Sequence, residues 1–173
     1  MSLTFVLGGA RSGKTGYALR EAGALAAEAG GRKVMIATAE ALDDEMAARI
    51  ARHRAERGGD WTTLEAPREL EDAVRSLRPR DVAVIDCLTL WLSNLMVGDL
   101  GIGDRVDALV NAMEASPADH VILISNEVGQ GIVPDNALSR RFRDEAGWMH
   151  QTLAGACDRV IVVQAGLAHR LKP

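Results

Sequence analysis

Cysteine is scarce in this chain of 173 residues, which contains only Cys87 and Cys157. Two cysteines so far apart in sequence indicate neither a disulfide framework nor a thiolate metal site. A free cysteine usually behaves as a small apolar side chain. We therefore expect both residues to lie in the core.

The sequence also lacks an excess of positive charge and any long apolar run. It has 20 lysines and arginines against 24 acidic residues, a net charge of −4. This balance excludes a general nucleic-acid binder, whose affinity would come from neutralised phosphates. No apolar stretch approaches the length that crosses a bilayer, so no membrane span is predicted. No basic segment precedes a signal-like apolar core at the N-terminus, and we expect a cytoplasmic protein.

Length and composition predict one folded domain over residues 1–173. Hydrophobic residues make up 47% and charged residues 25%, which is usual for a folded chain. A chain of this length can bury a full core in one unit. The glycine-containing segment Gly98–Gly103 is predicted to be a connector between elements, and it does not have the character of a domain linker.

An octapeptide near the N-terminus, GGARSGKT at residues 8–15, fits the phosphate-loop pattern G-x-x-x-x-G-K-[ST]. Its glycines let consecutive N–H groups point at an anion, and the helix that follows directs its positive dipole end at the same place. Lys14 supplies a point charge for the β and γ phosphates, and Thr15 offers a hydroxyl to magnesium. The loop therefore predicts a site for a nucleoside triphosphate.

Short apolar runs alternate with longer segments rich in Ala, Leu, Glu and Arg. The short runs are typical of strands buried on both faces of a parallel sheet, and the longer segments are typical of helices. The predicted strands are Leu3–Leu7, Val34–Ala37, Val82–Asp86, Val121–Ser125 and Val160–Val163, with Trp61–Leu64 as a weaker candidate. The predicted helices are Lys14–Ala29, Asp43–Arg57, Arg68–Ser76, Leu90–Met96, Arg105–Ala115 and Ala137–Ala156. This alternation predicts an α/β sandwich, which binds ligands at the carboxyl ends of its strands.

Two predicted strands lead into acidic residues at the expected ligand edge. Asp86 closes the run VAVID, and a phosphate loop commonly works with an acid at the end of a buried strand that holds magnesium. The alternative role of Asp86 is to cap the following helix. Asn126 and Glu127 follow Ser125, and Glu127 is a weaker candidate for touching magnesium or positioning a nucleophile. Turn chemistry is the alternative for both residues.

The predicted helix Asp43–Arg57 presents a histidine among arginines. Arg49, His53 and Arg57 recur at i, i+4 and i+8 and share one face. Cationic neighbours disfavour imidazolium and leave a neutral nitrogen nucleophile, while arginines can grip phosphates with planar forks. That combination suits attack on a nucleotide phosphorus. The alternative is a solvated helix surface, which the spacing alone favours.

Several segments, taken in order, resemble one enzyme family. They are GGARSGKT, IATAEALDDEMAARIARHRAERGGDW, VIDCLTLWLSNL and SNEVGQGIVPDN, followed by the closing helix and strand. Together they cover nearly the whole chain and are similar to the bifunctional adenosylcobinamide kinase and adenosylcobinamide-phosphate guanylyltransferase of cobalamin synthesis. The resemblance implies a P-loop NTPase fold, namely a RecA-like three-layer α/β sandwich with a mostly parallel central sheet.

The resemblance also implies two activities at one nucleotide site. ATP or GTP phosphorylates the hydroxyl of adenosylcobinamide. GMP from GTP is then joined to adenosylcobinamide phosphate through a guanylyl-histidine intermediate, which gives adenosylcobinamide-GDP and pyrophosphate. Magnesium is the expected cofactor, and the resemblance implies a homotrimer. Two other functions stay open: a P-loop kinase with a single small-molecule activity, and a RecA-like regulatory ATPase.

The resemblance places the nucleophile at His53, and Lys14 is the second predicted catalytic residue. The predicted magnesium ligands are Thr15 and Asp86, with Glu127 as a weaker one, and the resemblance gives Asp86 a competing role in contacting guanine. No motif indicates the corrinoid-binding residues, and an aromatic content of 3% suggests no stacking surface. The predicted nucleotide contacts are Gly8, Gly9, Ala10, Arg11, Ser12, Gly13, Lys14, Thr15, Ala37, Thr38, Ala39, Arg54, Ala55, Glu56, Arg57, Glu65 and Asp86.

Overall fold

The computed structural model describes residues 1–40 and 59–172. Its strands are β1 (Ser2–Gly8), β2 (Arg32–Ala37), β3 (Trp61–Glu65), β4 (Asp81–Asp86), β5 (His120–Asn126), β6 (Arg159–Gln164) and β7 (Leu167–Lys172). Its helices are α1 (Lys14–Ala29), α2 (Leu70–Arg75), α3 (Leu88–Val97), α4 (Ile102–Glu114) and α5 (Ala137–Ala156). The predicted helix Asp43–Arg57 lies outside the described residues.

These strands form one sheet with the order β3-β2-β4-β5-β1-β6-β7, parallel throughout except for β7, which runs antiparallel to β6. Helix α1 packs on one face through Ala18, Ala22 and Ala26. Helices α2 to α5 contribute to a larger apolar cluster on the other face. The predicted three-layer α/β sandwich with a mostly parallel sheet is confirmed. In the described part of the chain, no helix is long and apolar enough to cross a membrane.

The apolar runs of the sequence become the interior of this sheet. Phe5 and Val6 of β1 are fully buried, as are Val84 and Ile85 of β4, because central parallel strands are covered on both faces. The weaker candidate Trp61–Leu64 is confirmed as β3, whose half-buried residues fit its place at the sheet edge. The expected core positions of Cys87 and Cys157 are confirmed, and burial raises the pKa of the Cys157 thiol to about 12.

Two features differ from the sequence prediction. Strand β7 was not predicted, because most of its residues are exposed and show no alternation of apolar and polar side chains. A tight turn creates it: Ala165 and Gly166 both adopt positive φ, at 52° and 80°, as a two-residue hairpin requires. The predicted connector Gly98–Gly103 is also shorter than expected. Helix α4 already begins at Ile102, with Asp104 in its first turn, where an acid favours a helix start.

Candidate nucleotide-binding site

Strand β1 delivers the segment 8–15 to the carboxyl edge of the sheet, where it forms a closed loop. Gly13 precedes α1 with φ at 95°, a left-handed conformation that favours glycine. The Ser12 N–H donates to Gly9 O at 3.2 Å, and Lys14 Nζ donates to the same oxygen at 3.1 Å. Lys14 is buried, so the loop holds its ammonium group against the backbone. This is the arrangement expected of an anion-binding loop at a helix N-terminus.

Two other segments brace the loop from outside. The Glu127 N–H, just beyond β5, donates to Gly8 O at 3.0 Å. The Gly166 N–H, in the turn between β6 and β7, donates to Ser12 O at 2.9 Å. The Ser12 hydroxyl is buried, and no described residue hydrogen-bonds to it. The hairpin missed by the sequence prediction therefore supports the phosphate loop.

Gly8 sits where no side chain fits, so we expect Gly8→Ala to destabilise the protein by about 1–3 kcal/mol, as overpacking does. A Cβ there would lie 2.4 Å from Ser12 Oγ and 2.5 Å from the backbone oxygen of Val163. At Gly9 a Cβ meets nothing within 4 Å, so Gly9→Ala is the matched control. Urea unfolding measures the free energy of unfolding of both variants. Equal free energies of unfolding for the two would contradict the close packing at Gly8.

The acid at the end of β4 reaches the phosphate loop. Thr15 Oγ1 donates to Asp86 Oδ2 at 3.3 Å. Strand parity explains this contact, since Val84 and Val82 belong to the apolar cluster beneath α1 and Asp86 follows them at even spacing. A hydroxyl and a carboxylate side by side are oxygen ligands of the kind magnesium takes, together with phosphate oxygens and water. The two residues therefore fit the predicted magnesium site.

Register brings three of the predicted nucleotide contacts to one level of the sheet. Ala37 at the end of β2 pairs with Glu65 on one side and with Asp86 on the other. Neighbouring strands lie about 4.8 Å apart, so Glu65 and Asp86 are separated by roughly 10 Å along the edge. Side chains of paired residues project to the same face, which here is the face of α1. The structure thus gathers residues that are far apart in the sequence beside the phosphate loop.

The next residue, Thr38, ties β2 to β4. Its hydroxyl donates to Cys87 O at 2.7 Å and accepts from Cys87 N at 2.9 Å, and its side chain is fully buried. Its own N–H donates to Asp86 O at 3.3 Å. The Thr38 hydroxyl therefore holds the strand end that carries Asp86.

Asn94 is a site residue that the sequence analysis missed. From α3 its side-chain amide donates to Thr38 O and to Pro67 O, both at 2.8 Å. These carbonyls lie just after β2 and just after β3, so one amide ties α3 to the ends of two strands. The available signal was a lone carboxamide in the mostly apolar stretch WLSNL, which does not indicate its partners.

The last residue of β5 contacts helix α3, and the residue that follows makes a turn contact. The Asn126 amide donates to Thr89 Oγ1 at 2.7 Å, and the Glu127 carboxylate accepts from the N–H of Gly129. The alternative of turn chemistry is therefore supported for Glu127, and its contact with magnesium stays a prediction. The described residues contain no group of three or more His, Cys, Asp or Glu side chains arranged to hold a metal.

A buried histidine lies beneath this edge and gives a pH-dependent stability. His150 Nε2 is 2.7 Å from Ser125 Oγ, and its ring lies 5.6 Å from that of Phe5. Burial lowers the pKa of His150 from its usual 6.5, against a smaller opposite effect of Glu127. Below pH 6.5 the unfolded chain therefore takes up a proton that the folded protein resists. The free energy of unfolding then decreases as the pH is lowered.

We expect His150→Gln to flatten this dependence between pH 7.5 and about 5. Above about pH 6.5 the stability contributed by the neutral histidine is fully present, and it is lost as pH falls towards the folded pKa. Urea unfolding at several pH values gives the free energy of unfolding and its slope against pH. His169→Gln, on exposed β7, is the control that should retain the wild-type slope. An unchanged slope in His150→Gln would contradict the role of burial.

His53 and the contacts Arg54, Ala55, Glu56 and Arg57 lie outside the described residues. Their predicted roles in the site stay predictions. The structure brings together the phosphate loop, Ala37 to Ala39, Glu65 and Asp86 at one edge of the sheet.

Comparison with known proteins finds similarity along nearly the whole chain. Residues 4–171 match the family model described as cobinamide kinase / cobinamide phosphate guanyltransferase. The bifunctional adenosylcobalamin biosynthesis protein CobP of Pseudomonas aeruginosa is 47% identical, over 96% of this chain and 95% of the relative. The proteins named CobU of Salmonella typhimurium and Escherichia coli are 39% and 37% identical, each over 98% of this chain and 99% of the relative.

Proposed function

Because the chain belongs to the cobinamide kinase / cobinamide phosphate guanyltransferase family, we propose that its single domain, residues 1–173, carries out both reactions at one nucleotide site. The observation that carries the single-site proposal is the phosphate loop with Thr15 beside Asp86. The two reactions use the same triphosphate but break different bonds. The loop therefore determines which ligand binds, and the attacking group determines whether the γ-phosphorus or the α-phosphorus reacts.

In the kinase reaction, the alcohol oxygen of adenosylcobinamide attacks the γ-phosphorus of ATP or GTP. The bond from that phosphorus to the β,γ-bridging oxygen breaks, the nucleoside diphosphate leaves, and the alcohol proton passes to water. Positioning and neutralisation of charge provide most of the catalysis in such transfers. Lys14 and the N–H groups of the loop provide both.

In the guanylyl transfer, a ring nitrogen of His53 attacks the α-phosphorus of GTP, and pyrophosphate leaves as the bond to the α,β-bridging oxygen breaks. An oxygen of adenosylcobinamide phosphate then attacks the same phosphorus. The phosphorus–nitrogen bond breaks, which frees His53 and yields adenosylcobinamide-GDP. Lys14 and the loop hold the departing pyrophosphate. The two displacements give ping-pong kinetics.

Thr15 and Asp86 would hold magnesium, which supplies charge neutralisation at the phosphates when it is bound. The hydrogen bond between them supports this role for Asp86 over contact with guanine, because it places both oxygen ligands beside the loop. Glu127 would contribute through its other carboxylate oxygen, because Oε1 accepts the turn hydrogen bond from Gly129.

We expect Asp86→Asn to raise the magnesium concentration needed for half-maximal activity by about tenfold or more, as is usual when a metal-site carboxylate is altered. Magnesium titrations of the kinase reaction measure this shift. The ratio of activities with GTP and with ITP, which lacks the guanine amino group, should stay unchanged. A changed GTP to ITP ratio with an unchanged magnesium requirement would assign Asp86 to guanine instead.

Intact-protein mass spectrometry after incubation with GTP and magnesium tests the covalent intermediate. We expect one GMP per chain, with label from α-labelled GTP but none from γ-labelled GTP, in an acid-labile and base-stable bond. If no chain acquires α label, the guanylyltransferase mechanism fails. Transfer of γ label to a corrinoid without an adduct would leave a single-activity kinase, and phosphate release alone would leave a regulatory ATPase.

We propose further that the protein is a cytoplasmic homotrimer, which the family resemblance supports. Sedimentation equilibrium should then give about three times the 18.5 kDa mass of the chain. Cell fractionation tests the location.

A further inference from the structure

A groove separates α3 from the first turns of α5. Its volume is about 440 Å³, and it is lined by Ser93, Met96, Val97, Leu138, Ser139 and Phe142. Four of these side chains are apolar, and the other two are hydroxyls. None of the described residues in the lining is charged, whereas the phosphate loop carries Lys14.

The groove leaves apolar surface uncovered by the described residues. Val97 is 81% exposed and Leu138 is 68% exposed, one on each wall. Met96 and Phe142 are only partly buried although they pack against the core. Concave apolar surface with a few hydroxyls is the usual character of a site for a neutral organic ligand.

Both walls of the groove follow, along the chain, from strand ends that contact the phosphate loop. Helix α3 begins two residues after Asp86, and a rise of about 1.5 Å per residue places the α-carbon of Ser93 roughly 10 Å from that of Asp86 along the helix direction. The segment that leads from β5 to α5 begins at Glu127, whose N–H is bonded to Gly8 O. Both walls of the groove are therefore continuous in the chain with residues that contact the phosphate loop.

We propose that this groove binds one edge of the corrin macrocycle of cobinamide; this assignment deepens the function proposed above and rests on its kinase reaction. The reacting alcohol of cobinamide stands at the end of a side arm, so the macrocycle must lie a side-arm length away from the γ-phosphate. A groove whose wall includes Ser93, with an α-carbon separation of roughly 10 Å from Asp86, meets that requirement.

The chemistry of the lining also matches the ligand. A corrin carries methyl groups on its faces and neutral amide side chains around its rim. Val97, Leu138 and Phe142 would cover the methyl-bearing face, and the hydroxyls of Ser93 and Ser139 would bond to rim amides. The described lining residues offer no charged partner for a phosphate or an acidic peptide, which disfavours both as the occupant. A whole corrinoid exceeds this groove, which therefore takes an edge of it.

Leu138→Ser and Val97→Ser test the assignment from the two walls. Each removes apolar contact, and we expect each to raise the KM for adenosylcobinamide in the kinase reaction about tenfold, as loss of a small apolar contact does. The KM for ATP and the labelling of the protein by α-labelled GTP should stay at wild-type values. Leu171→Ser is the matched control, because Leu171 is 65% exposed on β7, away from the groove.

Equilibrium dialysis of adenosylcobinamide against the same variants gives a second readout without catalysis. An unchanged KM and an unchanged dissociation constant in both groove variants would overturn the proposal. A changed sedimentation mass with an unchanged dissociation constant would also overturn it, and would show the groove to be a contact between copies. Absence of the GMP adduct in the wild-type protein would instead contradict the guanylyl-histidine step and leave the groove assignment standing.

Discussion

We expect His53→Ala to abolish covalent labelling by α-labelled GTP and to lower guanylyl transfer by at least about a thousandfold. The proposed nucleophile has no replacement at that position, because alanine carries no atom that can attack phosphorus. The kinase reaction should keep most of its rate, since its nucleophile is the corrinoid alcohol and not a protein group. This split between two activities of one protein is a readout that general unfolding would not produce.

Two measurements check this expectation. Intact mass reports the GMP adduct, and transfer of γ label to adenosylcobinamide reports the kinase reaction in the same preparation. His169→Ala, a histidine on exposed β7, is the matched control and should label like the wild type. An α-labelled adduct on His53→Ala would contradict the assignment of the nucleophile. Parallel loss of both activities would contradict the proposed independence of the kinase step.

The second large effect is expected at Lys14. Lys14→Ala should lower kcat for both reactions by about a hundredfold to a thousandfold, the usual cost of removing one preorganised group that stabilises developing negative charge. Its ammonium group is held beside Gly9 O, where it can meet the phosphates in either reaction. Lys14→Arg should also be impaired, because a planar guanidinium does not replace a compact ammonium in so close a loop.

Lys33→Ala is the matched control for this series. Lys33 lies at the opposite end of β2 from Ala37, and it pairs with Asp60 and lies over the ring of Trp61. Steady-state kinetics of both reactions, with urea unfolding of each variant, measure the effect. Loss of only one activity in Lys14→Ala would contradict a shared nucleotide site. In His53→Ala, by contrast, we expect only guanylyl transfer to be lost. The two variants together distinguish the phosphate loop, which serves both reactions, from the nucleophile, which serves one.

Local patterns made most of the fold predictable. The runs LTFVL and VAVID became β1 and β4 because apolar residues in a short continuous stretch are buried wherever a covered sheet forms. The helix Ala137–Ala156 has its predicted bounds, and Asn136 caps its start through the N–H of Ser139. Strand β7 escaped prediction because its exposed side chains leave no apolar pattern, and only pairing with β6 makes it a strand.

The site was predictable in part. GGARSGKT identified the phosphate loop because its residues act as neighbours in sequence, and Asp86 was recognisable as an acid ending a buried strand. The Asn94 amide was not recognisable, since its partners Thr38 and Pro67 lie in other segments. The hydrogen bond from the Gly166 N–H to Ser12 O could not be predicted either, because these two residues lie far apart in the sequence.

The sequence by itself determined the chemistry proposed for this protein: a loop with the phosphate-binding pattern, an acid predicted to hold magnesium, and a family that combines a kinase with a guanylyltransferase. These depend on residue type and on short spacing, which a sequence states directly. Only the tertiary structure decided that Glu65, Ala37 and Asp86 share one level of the sheet, that a hairpin supports the loop, and that apolar residues of α3 and α5 line a groove. Those features depend on register and packing between distant segments, which local spacing does not encode.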